Sequence, residues 1–235
     1  MSWRDYWNQD TPIYSGERHK LLHYRGVSDD IASLIRSPGA HVLDYGCGEA
    51  LFADRVAQRC AHLYLCDGAP MVRERLVARF GGEGRISVLA PEEMGRIPAG
   101  SLDLVVVNSL LQYLPLADLR ALLPRFRDTL APGGRLVLAD VIPPDVSPVT
   151  DARALLGFAW RGGFLLSALA GLARTAVSDY RRIRDEIGLA QYTEDDLRDI
   201  LGDAGFAVQR MRRNLGHNAA RMTFEARPDP GPADR

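Results

Sequence analysis

The sequence predicts an α/β fold, a largely parallel sheet covered on both faces by helices. Three observations carry this expectation. Short apolar runs alternate with amphipathic segments of helical length from residue 28 to residue 141. The first run ends in a glycine turn, Gly46-Cys47-Gly48. Acids, Asp44 and Asp67, stand at the ends of the first two runs. With 235 residues the chain has room for one buried domain and an elaboration, but is short for two full domains.

Residues 1–27, with Trp3, Tyr6, Trp7, Tyr14 and Tyr24, read as an N-terminal cap segment ahead of the first capped helix, which Ser28 opens with Ile31, Leu34 and Ile35 on one face. After Ser37-Pro38-Gly39, the run His41-Val42-Leu43-Asp44 is a buried strand entering a tight loop. The pattern then repeats with a helix near 50–59, a strand over 63–66, a helix over 70–80 and strands over 86–89 and 102–107. A helix through Leu119, Leu122, Leu123 and Phe126 and a strand over 135–141 complete the core at 28–142. Pro124 inside that last helix predicts a kink or a restart. From 143 to 190 the rhythm stops. Ala154–Ala173 is almost wholly apolar, but Arg161-Gly162-Gly163 near its middle argues against a membrane span and for two short helices forming a lid. Thr193 with Asp196 caps a helix closed by Gly205, and strands over 206–211 and 222–226 pair antiparallel, so residues 191–227 return to the core sheet. Residues 228–235 read as a frayed tail.

Hydrophobic residues at 46% and charged residues at 25% describe a soluble globular protein, and a formal net charge of -1 predicts no general attraction to nucleic acid. Lys20 is the single lysine, and the arginine excess reads as codon bias. Cys47, Cys60 and Cys66 lack paired spacing, and the N-terminus lacks an apolar secretion signal, which together predict a reducing, cytoplasmic setting.

The loop Asp44-Tyr45-Gly46-Cys47-Gly48-Glu49-Ala50 lies where a strand hands over to a helix, and its glycines let a ligand approach the backbone. Asp67, followed by Gly68, ends the second strand, where an acid accepts both hydroxyls of a ribose. A nucleoside is expected. Charge then discriminates between nucleosides, because Asp44 and Glu49 repel a pyrophosphate but attract a cationic ligand. Residue 51 is leucine rather than the third glycine of a dinucleotide site.

Val42-Leu43-Asp44-x-Gly46-Cys47-Gly48 resembles the first motif of class I S-adenosylmethionine-dependent methyltransferases. Asp67 matches the ribose acid of that family, Asn108-Ser109-Leu110-Leu111-Gln112-Tyr113-Leu114 its segment after strand four, and Leu130-Ala131-Pro132-Gly133-Gly134 its turn before strand five. The resemblance covers roughly residues 40–142. It implies a Rossmann-like, doubly wound, seven-stranded sheet, mostly parallel with an antiparallel C-terminal strand, and S-adenosyl-L-methionine as cofactor. Ala50 stands for the usual third glycine. Ala90-Pro91-Glu92-Glu93 replaces the usual adenine-binding Asp, so Glu92, Glu93 or a backbone group is left for the adenine.

Methyl transfer from a sulfonium is an in-line displacement in which positioning supplies much of the rate, and a base is needed only where the acceptor loses a proton. His217, in the loop between the last two strands, is the preferred base, and Tyr113 is expected where cofactor meets acceptor. Tyr14 and Arg18 are expected to close over the cofactor, Arg18 on its carboxylate, with Asn108 and Ser109 beside it. Asn108 in place of an acid speaks against a divalent ion, so no metal is expected, and the His19/His23 spacing alone does not change that. The apolar lid and the arginines Arg174, Arg181, Arg182 and Arg184 point to a small, lipophilic acceptor or a membrane surface, the alternative being lid packing or a contact in a homodimer. Two rival readings remain at this level: a cofactor-binding subunit without catalysis, and an NAD-dependent oxidoreductase.

Overall fold

A computed structural model describes residues 14–175 and 188–229. In chain order the elements are α1 (Glu17–Leu34), β1 (His41–Tyr45), α2 (Ala53–Ala57), β2 (His62–Cys66), α3 (Pro70–Phe80) and β3 (Ile86–Leu89). These are followed by β4 (Leu102–Asn108), α4 (Leu116–Thr129) and β5 (Leu130–Val141). The lid contributes α5 (Pro148–Gly162) and α6 (Leu165–Thr175), and α7 (Glu194–Asp203), β6 (Phe206–Arg210) and β7 (Met222–Pro228) end the fold. The seven strands form one sheet in the order β3-β2-β1-β4-β5-β7-β6, parallel through β5, with β7 antiparallel to both neighbours.

Central strands read as near-continuous apolar runs because both of their faces are covered. In β4, Leu104 and Val106 pack into one core with α1, α2 and α3, whereas Val105 and Val107 pack into another with α4 and α7. β6 sits at the sheet edge, and only Phe206 of its five residues is buried. Thr193 and Asp196 form the expected reciprocal cap, Thr193 N donating to Asp196 Oδ2 at 2.8 Å and Asp196 N to Thr193 Oγ1 at 3.0 Å.

Four expectations need correction. Ser28 does not open α1, which begins at Glu17; its hydroxyl donates to the Arg25 carbonyl at 2.9 Å and is satisfied inside the helix. The cap segment at 1–27 therefore has no boundary at residue 28. Pro124 does not restart α4, which runs continuously through it; Pro124 and Arg120 both lie on its exposed side, where water can take the carbonyl left without a donor. β5 starts at Leu130, paired with Leu102, and a register shift between Leu130 and Arg135, a stretch that holds Gly133 at φ 79°, precedes the regular ladder from Arg135. β7 extends through Pro228, and Asp229 N donates to Gly205 O at 2.9 Å, so the described part of the tail is held; residues 230–235 lie outside the described residues.

The lid is the expected pair of helices. Ser147 accepts from Thr150 N at 3.2 Å to cap α5, and Gly163, at φ 69°, makes the turn into α6. Ala159, Phe164 and Ala168 close the hairpin core against Leu22 of α1. Close approach needs glycine here: a Cβ on Gly162 would stand 2.8 Å from Leu22 Cδ1, and one on Gly171 would stand 2.6 Å from Ser15 Cβ. The N-terminal half of α1 thus belongs with the lid and its C-terminal half with the core. Arg181, Arg182 and Arg184 lie outside the described residues.

Candidate functional site

Strand order reverses between β1 and β4, and the carboxyl ends of the parallel strands open a crevice there. The β1 loop lines one side. Gly46 and Gly48 adopt φ of 77° and 57°, a region that disfavours any residue with a Cβ. They are also crowded, since a Cβ on Gly46 would lie 2.7 Å from Leu110 Cδ2 and one on Gly48 2.8 Å from the Tyr24 hydroxyl. Asp67 clamps the loop: Gly48 N donates to its Oδ2 at 2.9 Å, and Ala69 N, across Gly68, to its Oδ1 at 2.8 Å. Each carboxylate oxygen keeps a lone pair for a ligand hydroxyl. Ala50 is forced to φ 39°, a left-handed conformation where the resembling family commonly has glycine.

The electrostatics of this side centre on Asp44, the acid to which no positive group is matched. Burial, with Asp67 nearby, pushes the Asp44 carboxyl up to about 7. Burial also raises Asp67, against the two backbone donors and the nearby Arg73 charge that lower it. The Cys47 thiol is driven well above its ordinary value by burial and by the same two acids, and so has no thiolate reactivity here. Glu49 behaves differently. Its Oε1 pairs with Lys20 Nζ at 2.6 Å, its carbonyl accepts from Arg79 at 2.6 Å, and its amide donates to Tyr24 Oη at 3.0 Å. Its charge is already matched, so the discrimination by charge rests on Asp44 and Asp67 rather than on Asp44 and Glu49.

The opposite side is assembled from distant segments. Asn108 ends β4; Ser109 (φ 54°) and Asp140 (φ 60°) both hold left-handed backbone, and Ser109 Oγ donates to Asp140 Oδ2 at 2.7 Å. Arg221 Nη1 reaches that same oxygen at 2.7 Å, and Nη2 reaches Asp151 Oδ2 in the first turn of α5 at 3.2 Å. Asn218 Nδ2 donates to Asp151 Oδ1 at 2.7 Å. This ionic latch fastens the lid to the end of β5 and the start of β7. Although burial works against its charge, the two carboxylates hold the Arg221 guanidinium above its ordinary value.

Beside the latch, His217 stacks on Phe158 of α5 with ring centroids 4.7 Å apart and meets His23 edge-on at 6.3 Å. Tyr14 lies 5.4 Å from His23 and 5.8 Å from Tyr24. Burial lowers all three nearby imidazoles, His23 to about 3, His19 to about 4, and His217 against the opposing pull of Asp140 and Asp151. All are therefore neutral at pH 7. Tyr14 is raised well above 10.0 and Tyr24 to about 12, both mainly by burial, so both stay phenols. Asn108 Oδ1 and Gln112 Oε1 are buried acceptors without a partner among the described residues.

Most of the residues expected from sequence converge. Asp44, Gly46, Cys47, Gly48, Asp67 and Gly68 form the loop side; Asn108, Ser109 and Tyr113, the last close to Tyr14 and Arg221, lie across from it. Arg18 does not converge. Lys20 and Tyr24, one turn apart, face the loop, which places Arg18 on another face of α1, where its Nε donates to Gly162 O at 2.5 Å. Glu93 is spent on its own turn, accepting from Ala90 N at 2.8 Å, which leaves Glu92, exposed beside β2, as the side-chain candidate for the adenine. Sequence reading missed Lys20, Tyr24, Asp140, Asp151, Phe158 and Arg221. Only the i, i+4 spacing of Lys20 and Tyr24 was a usable signal.

A family model described as a methyltransferase domain matches residues 18–210. The carboxy-S-adenosyl-L-methionine synthase of Dichelobacter nodosus is 30% identical over 143 residues, 59% of this chain and 57% of that protein. The ubiquinone biosynthesis O-methyltransferase of Xanthomonas campestris pv. campestris is 30% identical over 159 residues, 65% of this chain and 61% of that protein. The chain thus spans little more than half the length of these relatives. Among solved structures, the magnesium protoporphyrin IX methyltransferase of Synechocystis PCC 6803 with bound SAH aligns at a TM-score of 0.57 and 19% identity, covering 95% of this chain and 91% of that one. At that identity the likeness is one of fold.

Proposed function

This chain belongs to the methyltransferase-domain family, and from that premise we propose that it transfers a methyl group from S-adenosyl-L-methionine to a small, lipophilic acceptor. The supporting observation is the loop side of the crevice. Two glycines hold left-handed backbone in the loop, and two buried acids with raised pKa values stand beside it, Asp44 with no counter-charge of its own. A nucleoside carrying an ammonium and a sulfonium supplies that charge. A pyrophosphate would add to the repulsion, which disfavours the NAD-dependent reading.

In this reading Asp67 takes the ribose hydroxyls, Asp44 favours the ammonium, Glu92 or a backbone group meets the adenine, and Asn108, Ser109 and Tyr14 line the methionine end. The bound cofactor supplies an electrophilic methyl group. Tyr113 and the stacked Phe158 and His217 rings orient the acceptor on the other side, and the lid excludes water. Where the acceptor sheds a proton, His217 takes it as a neutral imidazole, and Asp140 and Asp151 favour the imidazolium that results. The lipophilic character of the acceptor follows from the aromatic lining. Three buried free thiols fit a reducing cytoplasm.

Calorimetry with adenosylhomocysteine tests the cofactor. The parent protein should bind it and Asp67→Ala, still folded by circular dichroism, should bind about 100-fold more weakly, as expected when hydrogen bonds to a charged group are lost. Binding of NADH without adenosylhomocysteine would overturn the proposal. Release of adenosylhomocysteine across phenols, amines and lipids then separates an enzyme from a supporting subunit, and a loss of turnover in His217→Ala confined to proton-shedding acceptors identifies the base.

A further inference from the structure

The lid hairpin turns an apolar face outward. In α6, Leu166 is 83% exposed and Leu169 48%, and with Ala170 and Ala173 they form an i, i+3, i+4, i+7 stripe that is wholly apolar and faces away from the protein. In α5, Trp160 is 74% exposed and shares its face with Arg153, Gly157 and Arg161, all exposed. Between the two helices lies an open cleft of about 590 Å³ lined by Trp160, Leu165 and Leu166 and edged by Arg18. Asp151 sits at the start of the hairpin and is used by the latch; from Ala152 to Thr175 there is no acidic residue. A soluble helix normally points its polar face outward, whereas α6 is apolar on its outer face as well as on the inner face that packs in the hairpin core.

We propose that this hairpin is a docking surface for a bilayer containing anionic lipid, with Trp160, Leu166 and Leu169 entering the headgroup boundary and Arg18, Arg153 and Arg161 meeting lipid phosphates. The charge pattern favours a bilayer over a second copy of the chain. A two-fold pairing sets the same patch against itself, which places these arginines against one another, whereas an anionic surface complements all of them. Trp with basic residues around an apolar stripe is the composition of an interfacial helix, and the hairpin is too short and too interrupted to span; no helix among the described residues is long and apolar enough to cross a membrane. The inner faces of the hairpin supply Phe158 to the acceptor side of the crevice and Phe164 to a stack with His19 at 5.0 Å. Docking would therefore bring the proposed acceptor pocket to the lipid, and the inference rests in that respect on the lipophilic reading of the site.

Flotation with phosphatidylcholine vesicles, with and without phosphatidylglycerol, tests the surface on the full chain. The parent should float with the anionic vesicles, less at high salt, and Trp160→Ser/Leu166→Ser should lose about tenfold or more of that partitioning. Arg161→Glu should lose the preference for phosphatidylglycerol. Adenosylhomocysteine binding, measured on the same samples, should be unchanged in both, which separates this surface from the cofactor site. Absence of flotation by the parent, equal flotation by the double variant, or a concentration-dependent dimer abolished by the double variant would each overturn the proposal.

Discussion

The two sides of the crevice are built in opposite ways. On the loop side the defining contacts are short in sequence: Gly48 to Asp67 spans 19 residues, Ala69 to Asp67 two, and Glu49 to Tyr24 25. They run largely through backbone amides. On the lid side Arg221 reaches back 81 residues to Asp140 and 70 to Asp151, through side chains alone. The first side is a local motif that any sequence with those glycines and that acid can form. The second exists only once the whole domain has folded.

The sharpest way to break this comparison is Arg221→Met. It leaves Asp140 and Asp151 facing each other in a mostly buried setting, where removing one partner costs about 3 kcal/mol after allowance for partial exposure. The expected result is a midpoint of thermal unfolding lower by several degrees and a large loss of turnover, with adenosylhomocysteine affinity within about twofold of the parent. An equal loss of cofactor binding would mean that the two sides are one cooperative unit.

A smaller effect of opposite sign is expected on the loop side. The folded pKa of Asp44 lies near 7, above its unfolded value, so the folded state binds the proton more tightly and the cofactor-free protein loses stability as pH rises from about 4, where the unfolded carboxyl ionises, to about 7, where the folded one does. Asp44→Asn should therefore raise the stability of the cofactor-free protein by about 2 kcal/mol more at pH 8 than at pH 5, and by little at pH 3. It should also weaken adenosylmethionine binding. In the parent, cofactor affinity should rise between pH 6 and pH 8, since a cation draws the proton off Asp44. A stability gain independent of pH would show that burial of the amide, and not the charge, is responsible.

The smallest change sharpens the role of backbone in the motif. Ala50→Gly removes the cost of a left-handed alanine and should stabilise by at most about 1 kcal/mol, less the added freedom of the unfolded chain, with no change in catalysis. Denaturant titration reads this directly, and a destabilised variant would mean that the φ of 39° carries no strain.

Much of the fold was legible in the sequence because strand period, glycine turns and capping pairs act over a few residues. β3 and α3 fall at their expected ends, and the Thr193 cap is where its spacing puts it. The errors share one cause. Ser28 carries the signature of a helix start, yet packing of Ser15, His19 and Leu22 on the lid draws the helix back to Glu17, and Pro124 is tolerated because the carbonyl it leaves faces water. Arg18 had the right charge for a carboxylate, but three-dimensional phase put it on the wrong face of α1.

By itself the sequence determined the sheet, the glycine loop and the two acids at the ends of β1 and β2, because these depend on φ, on the absence of a Cβ and on contacts between neighbours in the chain. Only the tertiary structure decided which charges count. It matched Glu49 with the one lysine of the chain, left Asp44 without a counter-ion, gathered Asp140, Asp151 and Arg221 into a latch, and brought His217 onto Phe158. Charge and reactivity depend on burial and on partners, and both are properties of distance in space rather than of separation along the chain.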